Sequence, residues 1–125
     1  MKQNRPTSRS HRPRTRLAPD SLAWSMVCAS RLVLAVFAGR NLTEAWEETL
    51  ADARWPAATR GAVRDLTWST LRDYGRGDLI LNNLLSHPPA EELRALLLVA
   101  LQRLHARPEQ AHVVVDQAVE AVASF

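Results

Sequence analysis

The chain has 125 residues, enough for one domain, and 46% of them are hydrophobic, so a buried core needs no covalent support. The single cysteine, Cys28, excludes an internal disulfide framework and a cysteine-based metal cage, which makes the cytoplasm the expected compartment. The net charge of +3 is unevenly distributed: residues 1–16 hold six basic residues and no acidic one, whereas ten basic and 13 acidic residues give the remainder −3.

Residues 1–18 are predicted to form a disordered, arginine-rich arm, and residues 19–125 a folded domain. The arm combines proline, serine, threonine and arginine and cannot bury apolar surface. A cationic arm is suited to phosphate groups. Its expected phosphate contacts are Arg5, Arg9, Arg12, Arg14 and Arg16. The alternative is a solvated leader that only improves solubility.

Six α-helices are predicted for the domain, which gives an all-α fold class. They cover approximately residues 20–38, 43–54, 56–74, 78–86, 90–105 and 109–124. Glycine is scarce, and the prolines stand between the periodic apolar segments rather than within them. The prolines therefore mark helix boundaries.

The first helix is apolar on almost every side, which is typical of a central bundle helix or of a membrane segment. Its expected N-cap is Asp20 or Ser21. Arg31 interrupts the apolar run, and its placement at a bilayer centre costs about 2.5 kcal/mol or more. The apolar run that follows, 32–38, is too short to span a bilayer. A bundle helix is therefore predicted, with a membrane or exported protein as the alternative.

Local signals also predict how the later helices begin, end and face. Thr43 is the expected cap of the second helix. Gly75 and Gly77 are expected to break the third helix. In the sixth helix, the spacing of the apolar residues predicts an inward face made by Val115, Ala118, Val119 and Val122.

No catalytic or metal-binding constellation is found, and we expect no cofactor and no enzymatic activity in this chain. Cys28 lies in an apolar helix and is expected to be a core residue rather than a nucleophile. The Gly-Arg-Gly at 75–77 lacks the residues of a phosphate loop. His105 and His112 stand seven residues apart with no cysteine pair nearby, which does not fit a zinc site.

Two further groups of residues have alternative interpretations. Asp73 and Asp78 flank a turn and are expected to be helix caps rather than paired catalytic acids. The four tryptophans are expected to be packing residues rather than base-stacking platforms, with Trp55 the most exposed of them. They are Trp24, Trp46, Trp55 and Trp68.

A longer pattern runs from Asp65 to Glu120. An amphipathic helix ends in Leu71-Arg72, a glycine-flanked turn leads to Asp78-Leu79, and later helices contain Gln102-Arg103-Leu104 and Ala118-Val119-Glu120. This order of signals resembles the NusB-like domain, an all-helical module of transcription antitermination factors and of the N-terminal part of RsmB-type rRNA cytosine-5 methyltransferases. The methyltransferase branch is the more similar in pattern.

The resemblance implies a compact, non-catalytic bundle that binds rRNA or a single-stranded leader RNA. It also implies a partner, which is a small ribosomal protein for the antitermination factors and a catalytic domain for the methyltransferases. Arg72 and Arg76 are expected to be lesser RNA contacts. For Arg72, a pair with Asp73, Asp78 or a helix C-terminus is favoured over contact with RNA.

Members of the family continue past the residues matching Val119-Glu120 with one more helix, whereas this sequence stops at Phe125. We therefore expect about six helices and an apolar stripe on helices one, five and six that stays uncovered. A partner surface, a homodimer or marginal stability would follow. The alternative to RNA binding is a protein-interaction bundle with no RNA ligand.

Overall fold

A computed structural model describes residues 17–49, 51 and 55–125. This part contains six α-helices and a short 3-10 helix, Pro108–Gln110, that precedes the last of them. The α-helices are α1 (Leu22–Phe37), α2 (Leu42–Thr49), α3 (Ala57–Arg72), α4 (Tyr74–Leu84), α5 (Glu91–Ala106) and α6 (Ala111–Ala123). No strand occurs in the described ranges. The predicted all-α class and its six helices are confirmed, whereas NusB-likeness stays a prediction.

The first helix, α1, is the centre of the bundle and contacts α2, α3, α5 and α6. Its N-cap is Ser21, whose hydroxyl oxygen accepts a hydrogen bond from the backbone N–H of Trp24 at 3.1 Å. Most of its side chains are buried, as the apolar character on almost every side predicts. No helix of the described part combines the length and the apolar character that a membrane crossing needs.

Two apolar clusters make up the core. The larger one joins α1, α3, α5 and α6 and includes Met26, Leu66 and Leu96. The smaller one joins α1, α2 and α3 around Cys28 and Leu32. Both clusters use α1, so this helix holds the other elements in place.

The link from α1 to α2 is a tight turn at Gly39, where φ is +92°. Glycine adopts this left-handed conformation without the strain that a Cβ atom causes. The cap of α2 is Asn41, whose side-chain oxygen accepts a hydrogen bond from the N–H of Glu44 at 3.1 Å. The prediction that Thr43 is the cap is wrong because Asn41 takes this role and Thr43 lies in the first turn. Residues 50 and 52–54, in the predicted end of this helix, lie outside the described ranges.

The break between α3 and α4 is at Asp73, and the prediction that Gly75 and Gly77 form it is wrong. Both glycines lie inside α4. A Cβ atom on Gly77 would be only 2.9 Å from Cδ2 of Leu98 on α5. Gly77 therefore allows α4 to approach α5 closely, whereas a Cβ atom on Gly75 would meet open space.

These two glycines should respond in opposite ways to alanine. Gly75→Ala is expected to stabilise the chain by roughly 0.5–1 kcal/mol, because alanine favours helix. Gly77→Ala is expected to lose that gain, because Leu98 is buried and overpacking a core costs about 1–3 kcal/mol. Urea unfolding of both variants measures the difference. Equal stabilisation by the two changes would contradict the close approach at Gly77.

The inward face of α6 differs from the prediction. Val114 and Ala121 are its fully buried residues, whereas Val115, Val119 and Val122 are 54%, 65% and 41% exposed. The apolar side of α6 is wider than the surface that α1 and α5 cover, so all three valines predicted to face the core face outward, whereas Ala118 packs against the core as predicted. This outcome agrees with the expectation of an uncovered apolar stripe for α6, but not for α1, where only Phe37 among the large apolar side chains is exposed.

Candidate nucleic-acid interface

The five arm arginines expected to bind RNA, Arg5, Arg9, Arg12, Arg14 and Arg16, lie outside the described residues. The segment that follows them is held against the fold. Leu17 packs on the larger core cluster, and the carbonyl oxygen of Pro19 accepts a hydrogen bond from the hydroxyl of Thr59 at 2.8 Å. Thr59 is 3% exposed and lies in the first turn of α3. The arm therefore joins the domain beside the start of α3.

Two exposed arginines follow on α3 from this attachment point. Arg60 and Arg64 are spaced by four residues, so they lie on neighbouring turns of one side of the helix. The guanidinium carbon of Arg64 is 5.4 Å from the ring centroid of Trp68, one further turn along. Neither arginine pairs with a carboxylate among the residues that the structure describes. We define the arm-side surface as Arg60, Arg64 and Trp68.

This surface is not among the sites predicted from the sequence. Its signal is present in the sequence as the i, i+4, i+8 spacing of Arg60, Arg64 and Trp68. Interpreting that spacing required the position of the arm, because a pair of exposed arginines on a helix is by itself ordinary. The hydrogen bond between Thr59 and Pro19 supplies that position.

The tryptophans are packing residues, as predicted, and they form two edge-to-face pairs. The ring centroids of Trp24 and Trp55 are 6.0 Å apart, and those of Trp46 and Trp68 are 5.6 Å apart. All four are half-buried, so the prediction that Trp55 is the exposed one is wrong. The guanidinium carbon of Arg31 is 5.8 Å from the centroid of Trp24. Arginine side chains already lie over two of the indole rings, so base stacking would require them to move.

The other two predicted contacts, Arg72 and Arg76, lie at the junction of α3 and α4. This junction is about 20 Å along α3 from Thr59, at 1.5 Å per residue. Arg72 is exposed in the last turn of α3 and donates a hydrogen bond to the hydroxyl of Ser69 at 3.4 Å. A positive charge in the last turn stabilises a helix, because the C-terminal end of the helix carries a partial negative charge. Arg72 therefore lies at the other end of α3 from the point where the arm joins the domain.

Arg76 forms an ion pair and a hydrogen bond within the domain. Its Nη2 atom lies 2.9 Å from a carboxylate oxygen of Asp73 and 3.3 Å from the side-chain oxygen of Gln102. Asp78 pairs with Arg94 in the same way. Asp73 is the C-cap residue of α3 and the N-cap residue of α4, as predicted, although its side chain pairs with Arg76 and makes no capping hydrogen bond. Asp78 lies inside α4, so the prediction that it is a cap is wrong, and the two carboxylates do not converge on a common site.

Negative charge is concentrated on α2. Glu44, Glu47 and Glu48 are exposed there, and only Glu48 has a cationic partner among the described residues. Two hydrogen bonds from the guanidinium of Arg40 lower the pKa of Glu48, and the carboxylate in turn raises the pKa of Arg40. RNA bound along the exposed side of α2 would meet repulsion.

The one cysteine of the chain lies in the core. Cys28 is fully buried, and burial raises the pKa of its thiol to about 12, with Arg31 partly opposing the shift. A thiol of this kind is a poor nucleophile at neutral pH, so its predicted place in the core is confirmed. Within the described ranges, no cluster of three or more histidine, cysteine, aspartate or glutamate residues could hold a metal ion.

Comparisons with family models, with curated proteins and with solved structures found no match to this chain.

Proposed function

We propose that this chain is a non-catalytic RNA-binding module whose arm and arm-side surface contact the phosphates together. The observation that carries the proposal is the separation of charge. Residues 1–16 have a charge of +6 and the rest has −3, and the arm is attached beside the two arginines of the arm-side surface. A cationic arm on an acidic domain concentrates phosphate contacts in one region of the chain.

The resemblance to NusB-like domains supports rRNA or a single-stranded leader RNA as the ligand. It favours the role of an N-terminal module of an RsmB-type rRNA methyltransferase, or of a stand-alone relative, over that of an antitermination factor. The six-helix, all-α architecture agrees with this proposal. Any methyl transfer would belong to a catalytic domain that this sequence does not contain.

Salt dependence of binding tests the proposal with the full chain and a labelled single-stranded rRNA fragment. We expect log K to fall with log salt with a slope of about −3 to −5, because each phosphate neutralised on a single strand contributes about −0.7. Replacing Arg5, Arg9, Arg12, Arg14 and Arg16 with glutamine should remove most of that slope. The double change Arg60→Gln and Arg64→Gln should remove about 1.4 of it.

Arg107→Gln is the matched control, because Arg107 is also exposed and has no carboxylate partner in the described ranges, yet lies in the turn after α5. It should leave the slope unchanged. A loss of about 0.7 for Arg107→Gln, the same loss per charge as for the two α3 arginines, would indicate diffuse attraction without a defined surface. No binding of the unmodified chain at low salt would refute RNA binding.

A protein-interaction bundle without an RNA ligand is the second candidate function. The acidic charge of the domain and the exposed valines of α6 favour it. The same salt series separates the two, since binding through an apolar surface persists at high salt and is unaffected by the arm substitutions.

A further inference from the structure

Two exposed arginines of the domain each lie over an indole ring. The guanidinium carbon of Arg31, on α1, is 5.8 Å from the ring centroid of Trp24, and that of Arg64, on α3, is 5.4 Å from the ring centroid of Trp68. Neither arginine pairs with a carboxylate within the described ranges. We call Arg31 with Trp24 the α1 stack, and Arg64 with Trp68 the α3 stack.

Both stacks rest on the same part of the core. Trp24 packs against the smaller core cluster and forms its edge-to-face pair with Trp55, which packs there too. Trp68 forms its pair with Trp46, which also packs against this cluster. The four half-buried rings therefore place the two arginine side chains on the side of the bundle where α1, α2 and α3 meet.

Both stacks also lie close to the point where the arm joins the domain. Trp24 is five residues after Pro19, and its backbone N–H donates a hydrogen bond to Ser21, the N-cap of α1. Arg64 is five residues after Thr59, or about 8 Å along α3. Because the hydrogen bond between Thr59 and Pro19 fixes the start of the domain here, RNA held by the arm has both stacks within reach.

An arginine supported by an indole ring is suited to bind a nucleobase. The ring holds the guanidinium group by a cation–π contact, and the exposure of both arginines leaves the group open to a ligand. Unpaired bases stack on arginine guanidinium planes and on aromatic rings, whereas the bases of a duplex are already stacked on one another. A phosphate needs only the positive charge. The aromatic support under each arginine therefore favours a base as the ligand.

We propose that the α1 and α3 stacks each bind an unpaired base, so that the domain selects single-stranded RNA over a duplex. Such binding rests on the RNA-binding function proposed above, and it adds two base contacts to the phosphate contacts of the arm. The α1 stack thereby extends the ligand surface beyond the arm-side surface.

The α1 stack has few acidic neighbours. The helix α1 itself contains no acidic residue. Glu92 of α5 lines one hollow together with Arg31 but forms no ion pair with it. Asp20 is exposed in the turn before α1, where the six basic residues of the arm outnumber it. The local charge where the arm joins the domain therefore stays positive.

Most carboxylates of α2 and α3 are directed away from the α3 stack. The carboxylate of Asp65 lies 3.9 Å from a guanidinium group on α5. Glu47 is about 100° around α2 from Trp46. Glu44 and Glu48 stand two residues before and after Trp46, which places both about 160° around the helix from it. Trp46 therefore contacts the α3 stack from the less acidic side of α2.

Lysine in place of both arginines tests base binding, because Arg31→Lys with Arg64→Lys keeps each positive charge and removes the planar group. The probes are the labelled single-stranded rRNA fragment and the same fragment annealed to its complement. We expect the double variant of the full chain to bind the single strand about fivefold or more weakly, which is the effect of losing one stacked base. The salt slope and the affinity for the duplex should stay unchanged. Both arginines are exposed, so the fold should stay intact, which circular dichroism verifies.

Arg60→Lys is the matched control, since Arg60 is exposed on α3 one turn before Arg64 and lies over no indole ring within the described ranges. It should leave both affinities unchanged. Full single-strand affinity in the double variant, or an equal loss for Arg60→Lys, would overturn base binding at the stacks while salt-dependent binding by the arm stands. A duplex bound as tightly as the single strand by the unmodified chain would overturn it too. No binding of either RNA by the unmodified chain would refute the proposed function and the base contacts with it.

Discussion

Leu66→Ala is expected to lower the free energy of unfolding by about 3–5 kcal/mol. Leu66 lies on α3, is 2% exposed and belongs to the larger core cluster with Met26 of α1 and Leu96 of α5. Removing its side chain leaves a cavity where three helices meet. Helices that also pack against other helices cannot move into that space. The lost burial of apolar atoms and the remaining cavity therefore both lower the free energy of unfolding.

Leu79→Ala is the control for the same chemical change on a helix surface. Leu79 lies on α4 and is 62% exposed, so its loss should change the stability by no more than about 0.5 kcal/mol. Urea unfolding at one fixed chain concentration measures both variants. Similar losses at the two positions would contradict the burial of Leu66 in the core.

The existence and order of the helices could be predicted because their signals are local. Proline positions and apolar periodicity depend on residues a few positions apart, and α1, α3, α5 and α6 lie within two residues of their expected bounds. The cap of α2 was missed because Asn41 and Thr43 are both good capping residues, and their competition is decided by the turn at Gly39.

The errors of orientation have a different physical origin. The row formed by Val115, Val119 and Val122 and the buried pair Val114 and Ala121 are both apolar, so periodicity alone predicts neither as the inward face. Which one is buried depends on where α1 and α5 lie.

The role of Gly77 likewise depends on Leu98, a residue 21 positions later. In most sequences glycine marks a turn or a helix break. A glycine that allows two helices to pack closely has no different local pattern, so the sequence alone predicts a break.

The candidate site was predictable only in part for the same reason. The arm was recognised from composition, which needs no coordinates. Its attachment beside Arg60 depends on the hydrogen bond between Thr59 and Pro19, whose residues are 40 positions apart. Arg76 pairs with Asp73, three residues earlier, and donates a hydrogen bond to Gln102, while its contact with RNA stays a prediction. The attachment point of the arm depends on a long-range contact that no local pattern predicts.

Stability should fall steeply in alkaline solution because of Cys28. Burial raises the pKa of this thiol from 9.0 to about 12 in the folded chain. Between these values the unfolded chain releases the proton while the folded chain retains it, so the folded state binds more protons and stability decreases as the pH rises. The full loss, reached near pH 12, is about 4 kcal/mol at 1.36 kcal/mol per pKa unit.

Cys28→Ala isolates this contribution, because every other titrating group is shared by the two proteins. Below pH 9 the difference in unfolding free energy between them should be constant, since the thiol is protonated in both states of the unmodified chain. From pH 9 upward the unmodified chain should lose stability relative to the variant by about 1.4 kcal/mol per pH unit. Urea unfolding at pH 8, 9.5 and 10.5 measures this slope. A difference that stays constant to pH 10.5 would mean that the folded and unfolded chains release the thiol proton over the same pH range, and would contradict a raised pKa of Cys28 in the fold.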